Sequence, residues 1–480
     1  MMFTNFRTVA SSFLVSVLAC LISFGVFLHY LNTSNTALEE DMTTLHKSFE
    51  DGLPVLTSSS SSHQHQQIEL LTKDLIVSPT VNTNSTSNIH SHSNGKCITS
   101  NNNTDETFRT STNYKNSTTL PQWMKEYFDW HRKTMRGMNV CNFRRHKFII
   151  LRCSNADKKC GGLADRLKTL PFIIAAAAYS NRIFLIRWER PTKLEEFLIP
   201  NEINWSMPYW FYEETNSFHS DSAFIPATNK MIEAIKIQKQ TIVIETLIQD
   251  FYGGSRYYEK LDCELDDNKE FDHEEEKKLN DMHGWSSYEL IFRDLFNTLF
   301  LPSPPVAKII KEKMKSSNLI PNEYSASQYR AFYAIENRKH KRNEVEIISR
   351  TRNAINCASR LFQGSPVFFA SDSHKSVIYA RKYAEEFNRH IVVFDNEKEA
   401  LHLDKKVQWK SGNVSDFYPT FVDLLIMAEA KCMSHGVGGF GRFANMLSVD
   451  PRCVISHDST RQNRISYCKW YNKGDIVDNE

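Results

Sequence analysis

From residue 146 onward, short apolar runs alternate with longer helical stretches, and that alternation confines the chain to the α/β class. His146 to Arg152 (HKFIILR), Arg182 to Trp188 (RIFLIRW) and Thr241 to Ile248 (TIVIETLI) read as strands, with a helix predicted from Leu163 to Ser180 between the first two. Helical patterns follow from Tyr288 to Phe300 and from Val306 to Lys315, and Pro302, Pro304 and Pro305 break the chain between them. The second half is more regular. Strands at Gln328–Ala334, Pro366–Ala370, Ile391–Phe394, Cys432–His435 and Cys453–His457 alternate with helices at Glu344–Phe362, His374–Phe387, Phe421–Ala430 and Arg442–Leu447. Strands that are apolar at consecutive positions are buried on both faces, as in parallel sheets covered by helices. The prediction is two Rossmann-like lobes facing a cleft: an N-terminal lobe over 121–320 and a C-terminal lobe over 321–480. A length of 480 residues with 41% apolar content supplies two cores at about 100–200 residues per domain. Lys and Arg number 58 against 56 Asp and Glu, and a formal charge of +2 speaks against a chain that coats polyanions.

The amino end reads differently. No Lys, Arg, Asp or Glu falls between Arg7 and Glu39, and Val9 to Leu31 is dominated by Phe, Leu, Val, Ile and Ala. About 20 apolar residues cross a bilayer as a helix, so 9–31 is predicted as a transmembrane signal anchor behind a cytoplasmic tail at 1–8. Arg7 before the run and Glu39, Glu40 and Asp41 after it place the rest of the chain on the far side, a type II topology. A cleaved signal peptide competes, although its apolar region is ordinarily about 7–15 residues. Between Thr57 and Thr119, 34 of 63 positions are Ser, Thr or Asn, which cannot bury enough apolar surface to offset chain entropy. A disordered, low-complexity stem is therefore predicted over 32–120. Glycosylation acceptors stand at Asn32, Asn84, Asn102, Asn116, Asn204 and Asn413. Nine cysteines lie beyond the apolar run. A secretory compartment lets them pair, and Cys153 and Cys160 are close enough in sequence to do so. The odd count leaves one over, with Cys97 in the stem as the candidate.

In doubly wound sheets ligands sit at the carboxyl ends of strands, and three such ends in the second half carry polar residues. His435-Gly436-Val437-Gly438-Gly439-Phe440-Gly441-Arg442 follows one strand and opens a helix, where bare backbone and free N–H groups suit a phosphate. Gly436, Gly438 and Gly441 also spell G-x-G-x-x-G, with Asp458 lying 22 residues after Gly436, the pattern of a dinucleotide site. Too little chain follows for the rest of a dinucleotide domain. A tight turn required only for packing is the plain alternative. Ser371-Asp372-Ser373 follows the PVFFA strand. Asp372 or Ser373 caps the next helix, or Asp372 accepts the ring and amino hydrogens of a guanine edge. Gln328-Tyr329-Arg330 offers a planar guanidinium for a diphosphate. In the first half Gly161-Gly162-Leu163-Ala164-Asp165-Arg166 links strand to helix and should face the cleft. The acidic run from Asp262 to Glu276 reads as a solvated loop, which disfavours a metal-dependent transferase with an Asp-x-Asp site.

Taken together, GGLADRLKTLPFIIAAAAYSNRIFLIRWERP, QYRAFYA, FFASDS and HGVGGFGRFANML resemble the inverting fucosyltransferases of the two-lobed GT-B type, which include the alpha-1,6- and protein O-fucosyltransferases. The resemblance spans residues 145–190 and 325–460. It implies a glycosyltransferase that uses GDP-fucose as donor substrate, with no metal and no other cofactor, inverts the anomeric carbon, and binds the donor mainly through the C-terminal lobe. It further implies a glycan or glycoprotein acceptor and a Golgi or endoplasmic reticulum membrane location. Carried over by position, Arg330 matches the diphosphate-holding arginine, and Asp372 with Ser373 the nucleotide-reading segment. His435, Gly436, Gly438, Gly439 and Gly441 match the phosphate loop, and Gly161, Gly162 and Arg166 the cleft-facing turn, with Asp165 the candidate base. The family's His-x-Arg is Gln328-Tyr329-Arg330 here, and glutamine neither carries charge nor shuttles a proton. That departure keeps a second reading open, a luminal glycan- or nucleotide-sugar-binding protein without turnover. A dinucleotide-dependent oxidoreductase is the third, resting on the glycine pattern alone.

Overall fold

The computed structural model describes residues 113–157, 160–208, 210–211, 222–228, 230–237, 241–247, 254–266, 287–331, 344–394, 401–403, 412–457, 468–470 and 476–477. The predicted tail and anchor, the stem up to 112, Cys97 and Asp458 lie outside them. No helix among the described residues is long and apolar enough to cross a membrane.

The first sheet has four parallel strands in the order β2-β1-β5-β4, with β1 at Phe148–Cys153, β2 at Ile183–Trp188, β4 at Ser222–Phe224 and β5 at Val243–Thr246. Its continuous apolar runs bury both faces. Ile149, Leu151 and Cys153 point into the main core with the helix α3 (Leu170–Tyr179), whereas Phe148, Ile150, Ile183, Leu185 and Val243 pack with Phe143 and Phe211 on the other side. The helix expected over 163–180 is two helices, α2 (Leu163–Leu167) and α3, separated at Lys168 and Thr169.

The second sheet has seven strands in the order β13-β12-β11-β10-β7-β8-β9. Here β7 is Ser325–Tyr329, β8 Val367–Ser371, β9 Ile391–Val393, β10 Cys432–His435 and β11 Val454–Ser456. All five of these run parallel, and the short β12 (Cys468–Trp470) and β13 (Ile476–Val477) extend the β11 edge antiparallel. Helices α6 (Glu344–Leu361) and α7 (His374–Glu386) cover one face with Tyr329 and Phe369. Helices α8 (Tyr418–Ala428) and α9 (Gly439–Leu447) cover the other with Ala326, Phe368, Ala370 and Met433, as side-chain alternation along the strands requires. Chain order therefore reverses between β7 and β10, and the crevice at a doubly wound sheet's ligand-binding point opens there.

Three corrections concern the elements. The strand expected from Gln328 starts at Ser325 and ends at Tyr329, because Ser325 and Ser327 are buried in the sheet despite their polarity. The helix expected from Arg442 starts at Gly439, so two of the loop glycines are helical. The stem ends before residue 120: Tyr114 and Leu120 are buried, and Tyr114 packs edge-on against Phe128 of the helix α1 (Gln122–Gly137).

The two sheets share their largest core. One apolar cluster runs from Ile149 and Ile174 through to Phe368 and Phe443. Phe197 stacks on Phe421 at 4.2 Å between ring centres, and Phe292 of α4 (Phe292–Leu299) meets Phe443 edge-on at 5.6 Å. Arg293 ties the same seam by donating to the carbonyls of Ala428 and Leu447, the carboxyl ends of α8 and α9, at 2.5 and 2.6 Å. Disulfides join Cys153 to Cys160, Cys357 to Cys468 and Cys432 to Cys453, and Cys141 is disulfide-bonded as well. Among the described cysteines, Cys263 forms no disulfide.

Candidate functional site

The reversal between β7 and β10 brings most of the expected residues together. Gln328 and His435 are partners in register on the two strands that flank it. Beyond β10 the chain turns at Gly438, whose φ of +101° is open to glycine and strained for other residues, and α9 begins at Gly439 without a side-chain cap. A methyl group at Gly438 would stand 2.9 Å from Nη1 of Arg330, and one at Gly441 would stand 2.6 Å from Oε1 of Gln328 and 2.8 Å from Cβ of His435. The two glycines thus serve different ends. Gly441 lets α9 lie flat on β7 and β10, which is packing. Gly438 leaves room for the guanidinium. The amide of Gly436 donates to the carbonyl of Gln328 at 3.3 Å and prolongs the sheet, so it is spent on structure.

Arg330 and Asp372 sit at neighbouring strand ends. Nε of Arg330 lies 4.0 Å from Oδ2 of Asp372, while Oδ1 of Asp372 accepts the Ala331 amide at 2.6 Å. The carboxylate is nearly buried and bridges the ends of β7 and β8. The capping expectation is corrected here: the residue preceding α7 is Ser373, it makes no side-chain cap, and its amide donates instead to Oγ of Ser371 at 3.2 Å.

The first sheet's glycine turn meets this site from the opposite side. Gly161 has φ +76°, and the carboxylate of Asp165 reaches back to accept the Gly162 amide at 3.2 Å. Its other oxygen holds Nζ of Lys168 at 2.9 Å. A methyl at Gly439 would stand 3.4 Å from Oδ1 of Asp165 and 3.8 Å from Nζ of Lys168, so the two turns touch. Both oxygens of Asp165 are engaged, one by the Gly162 amide and one by Lys168. Arg166 is not brought to the turn's surface. It is buried over Trp188, its guanidinium carbon 4.8 Å from the ring, and donates to the carbonyls of Gly161, Arg190 and Leu403 at 2.9, 2.5 and 3.1 Å. Its work is to fix the turn and to join it to 401–403.

The imidazoles are neutral. Burial, with Arg442 adding repulsion, holds His435 down to about 4, against a weaker upward pull from its hydrogen bond to the Gly436 carbonyl. Burial, then His435 and Arg350, holds His457 down to about 3. Nδ1 of His457 lies 2.7 Å from Oγ of Ser434, and its carbonyl accepts from Asn353 at 2.9 Å. Sequence reading passed over His457 and Lys168. His457 stands at a strand end, where the same rule that found Arg330 applied. Lys168 stands three residues after Asp165, the spacing of a helical ion pair. Among the described residues no group of three His, Cys, Asp or Glu side chains is placed to hold a metal, and the acidic run expected as a loop begins in a helix, where Asp262 is buried and accepts from Trp123 at 2.7 Å.

No protein family and no curated protein matches the sequence. Comparison with solved structures gives partial likenesses. A point mutant of Arabidopsis thaliana FUT1 in complex with GDP superposes with TM-score 0.49 at 10% identity, covering 73% of this chain and 82% of that one. NodZ alpha-1,6-fucosyltransferase soaked with GDP-fucose gives 0.37 at 11% identity, covering 70% and 100%. POFUT1 in complex with GDP-fucose gives 0.35 at 11% identity, covering 66% and 98%.

Proposed function

We propose that the chain is a glycosyltransferase that moves fucose from GDP-fucose to a glycan or protein acceptor, with inversion and without a metal. The observation that carries the reading is Arg330 at the sheet's reversal, its guanidinium seated against the bare backbone of Gly438. A planar fork beside uncapped helix amides suits a diphosphate, and the ordered set of motifs supplies the donor sugar. As the bond from sugar to diphosphate lengthens, negative charge gathers on the leaving oxygens, and Arg330 with the first-turn amides of α9 meets it. The first-sheet side would take the acceptor. The apolar run at 9–31 and the disulfides support a type II protein of the Golgi or endoplasmic reticulum membrane with its catalytic part luminal.

One arrangement favours a second reading, a binding protein without turnover. Asp165 and Asp372 are both engaged, and Gln328 has no titratable proton. Calorimetry of the full chain with GDP, UDP and NAD⁺, followed by GDP-fucose turnover with and without EDTA, separates the readings. GDP should bind in preference to UDP and NAD⁺, and Arg330→Ala should weaken it at least about tenfold, the loss of one charged hydrogen bond. A folded chain that ignores GDP ends the proposal. Binding without any hydrolysis or transfer favours the second reading.

A further inference from the structure

Two cations approach the same glycine turn from different sheets. Arg330, from β7, meets the turn at Gly438, and Lys168, from the segment joining α2 to α3, meets it at the next residue, Gly439. Each is steered by one carboxylate: Arg330 by Asp372 at 4.0 Å and Lys168 by Asp165 at 2.9 Å. Asp372 and Asp165 are in turn fixed by backbone amides, those of Ala331 and Gly162. Beneath the turn lies Gln328, 4% exposed, with its Oε1 unpartnered and directed at the first turn of α9. A lysine beside a helix's amino end is unfavourable by itself, because both are positive; Asp165, whose Oδ1 lies nearer Gly439 than Nζ of Lys168 does, offsets that, and a phosphate in the crevice would add to the offset.

We propose that Lys168 is a second donor-binding residue, delivered by the first sheet to the diphosphate that Arg330 holds from the second. This rests on the nucleotide-sugar reading above and extends it: each cation takes one phosphate of the diphosphate, and Asp165 acts as the positioning residue for Lys168. The lysine is one-fifth exposed, so a ligand in the crevice reaches it without unfolding the turn.

The test is binding of GDP and of guanosine to the full chain and to its Lys168→Met and Lys168→Arg variants, repeated at low and high salt. Lys168→Met should weaken GDP about tenfold at low salt and less at high salt, with guanosine unchanged, while Lys168→Arg stays within about threefold of the parent. Unchanged GDP affinity in Lys168→Met, or an equal loss for guanosine, overturns the assignment of Lys168 while leaving the nucleotide reading standing. A parent chain that binds no GDP removes the nucleotide reading and this inference with it.

Discussion

At the scale of single residues, Gly438 and Gly441 separate function from packing. Gly441→Ala places a methyl against Gln328 and His435 in a buried seam, an overpacking that should cost about 1–3 kcal/mol. It is expected to lower the melting temperature while GDP affinity changes little in the fraction that stays folded. Gly438→Ala forces a side chain onto a φ of +101° and against the end of Arg330, a flexible group that can move aside. Its cost should appear chiefly in GDP affinity, with a smaller loss of melting temperature. Calorimetry alongside thermal denaturation distinguishes them, and equal behaviour of the two variants would mean that both glycines merely pack. The sequence showed that glycines were needed here but not which served which end, since that depends on Arg330 arriving from another strand.

At the scale of elements, the break between α2 and α3 matters most. Sequence periodicity runs straight through it, because Leu163, Leu167, Leu170 and Ile174 keep a helical spacing across the join. What interrupts the helix is Pro171, which has no N–H for the Leu167 carbonyl and sits in the first turn of α3, and tertiary contacts then hold the join. Tyr288 donates to the carbonyl of Lys168, and Arg166 anchors Gly161, Arg190 and Leu403. Arg166→Met strips three buried carbonyls of a charged donor. Unfolding in denaturant should show a loss of at least about 3 kcal/mol, and a loss below about 1 kcal/mol would mean that other donors replace the guanidinium. Strands β1, β2, β8 and β9 were legible because each is a largely apolar run, whereas the start of β7 was not, because Ser325 and Ser327 give no apolar signal. The short pair β3 (Leu198–Pro200) and β6 (Phe300–Pro302), and the added β12 and β13, were not, since two or three residues carry no period. Arg166 was expected at a ligand for the same reason that it proved structural: arginine beside glycines at a strand end looks alike in both roles until its acceptors are known.

At the scale of the whole molecule, three imidazoles shape the response to acid. His131 and His435 are held down to about 4 and His457 to about 3, burial being the largest cause for each. Above pH 6.5, the ordinary imidazole value, each ring is neutral in both folded and unfolded chains and contributes nothing to the pH dependence. Below it the unfolded chain takes up protons that the folded chain refuses, so stability falls by about 1.4 kcal/mol per pH unit for each ring until the folded value is reached. Melting temperature should therefore decline from pH 6.5 towards pH 4, and His457→Gln should flatten that slope. A slope the same as the parent's would show that His457 does not contribute. The α/β class was legible from the strand–helix alternation, and the reversal between β7 and β10 follows once the strand order is known. The common core was not, because no local pattern tells Phe197 that it will stack on Phe421.

The bond between Cys357 and Cys468 spans 111 residues and encloses the pair Cys432–Cys453, which spans 21. During synthesis Cys357 is exposed long before its partner exists, and both cysteines of the inner pair appear in the interval. Chains fold from the amino end as they are made, so the inner pair can close first while α6 must hold a reduced thiol open to the wrong partner. Burial of Cys357 between α6 and the sheet guards against that mismatch only after β11 has docked. The order in which this half is oxidised is therefore written into the order in which its strands arrive.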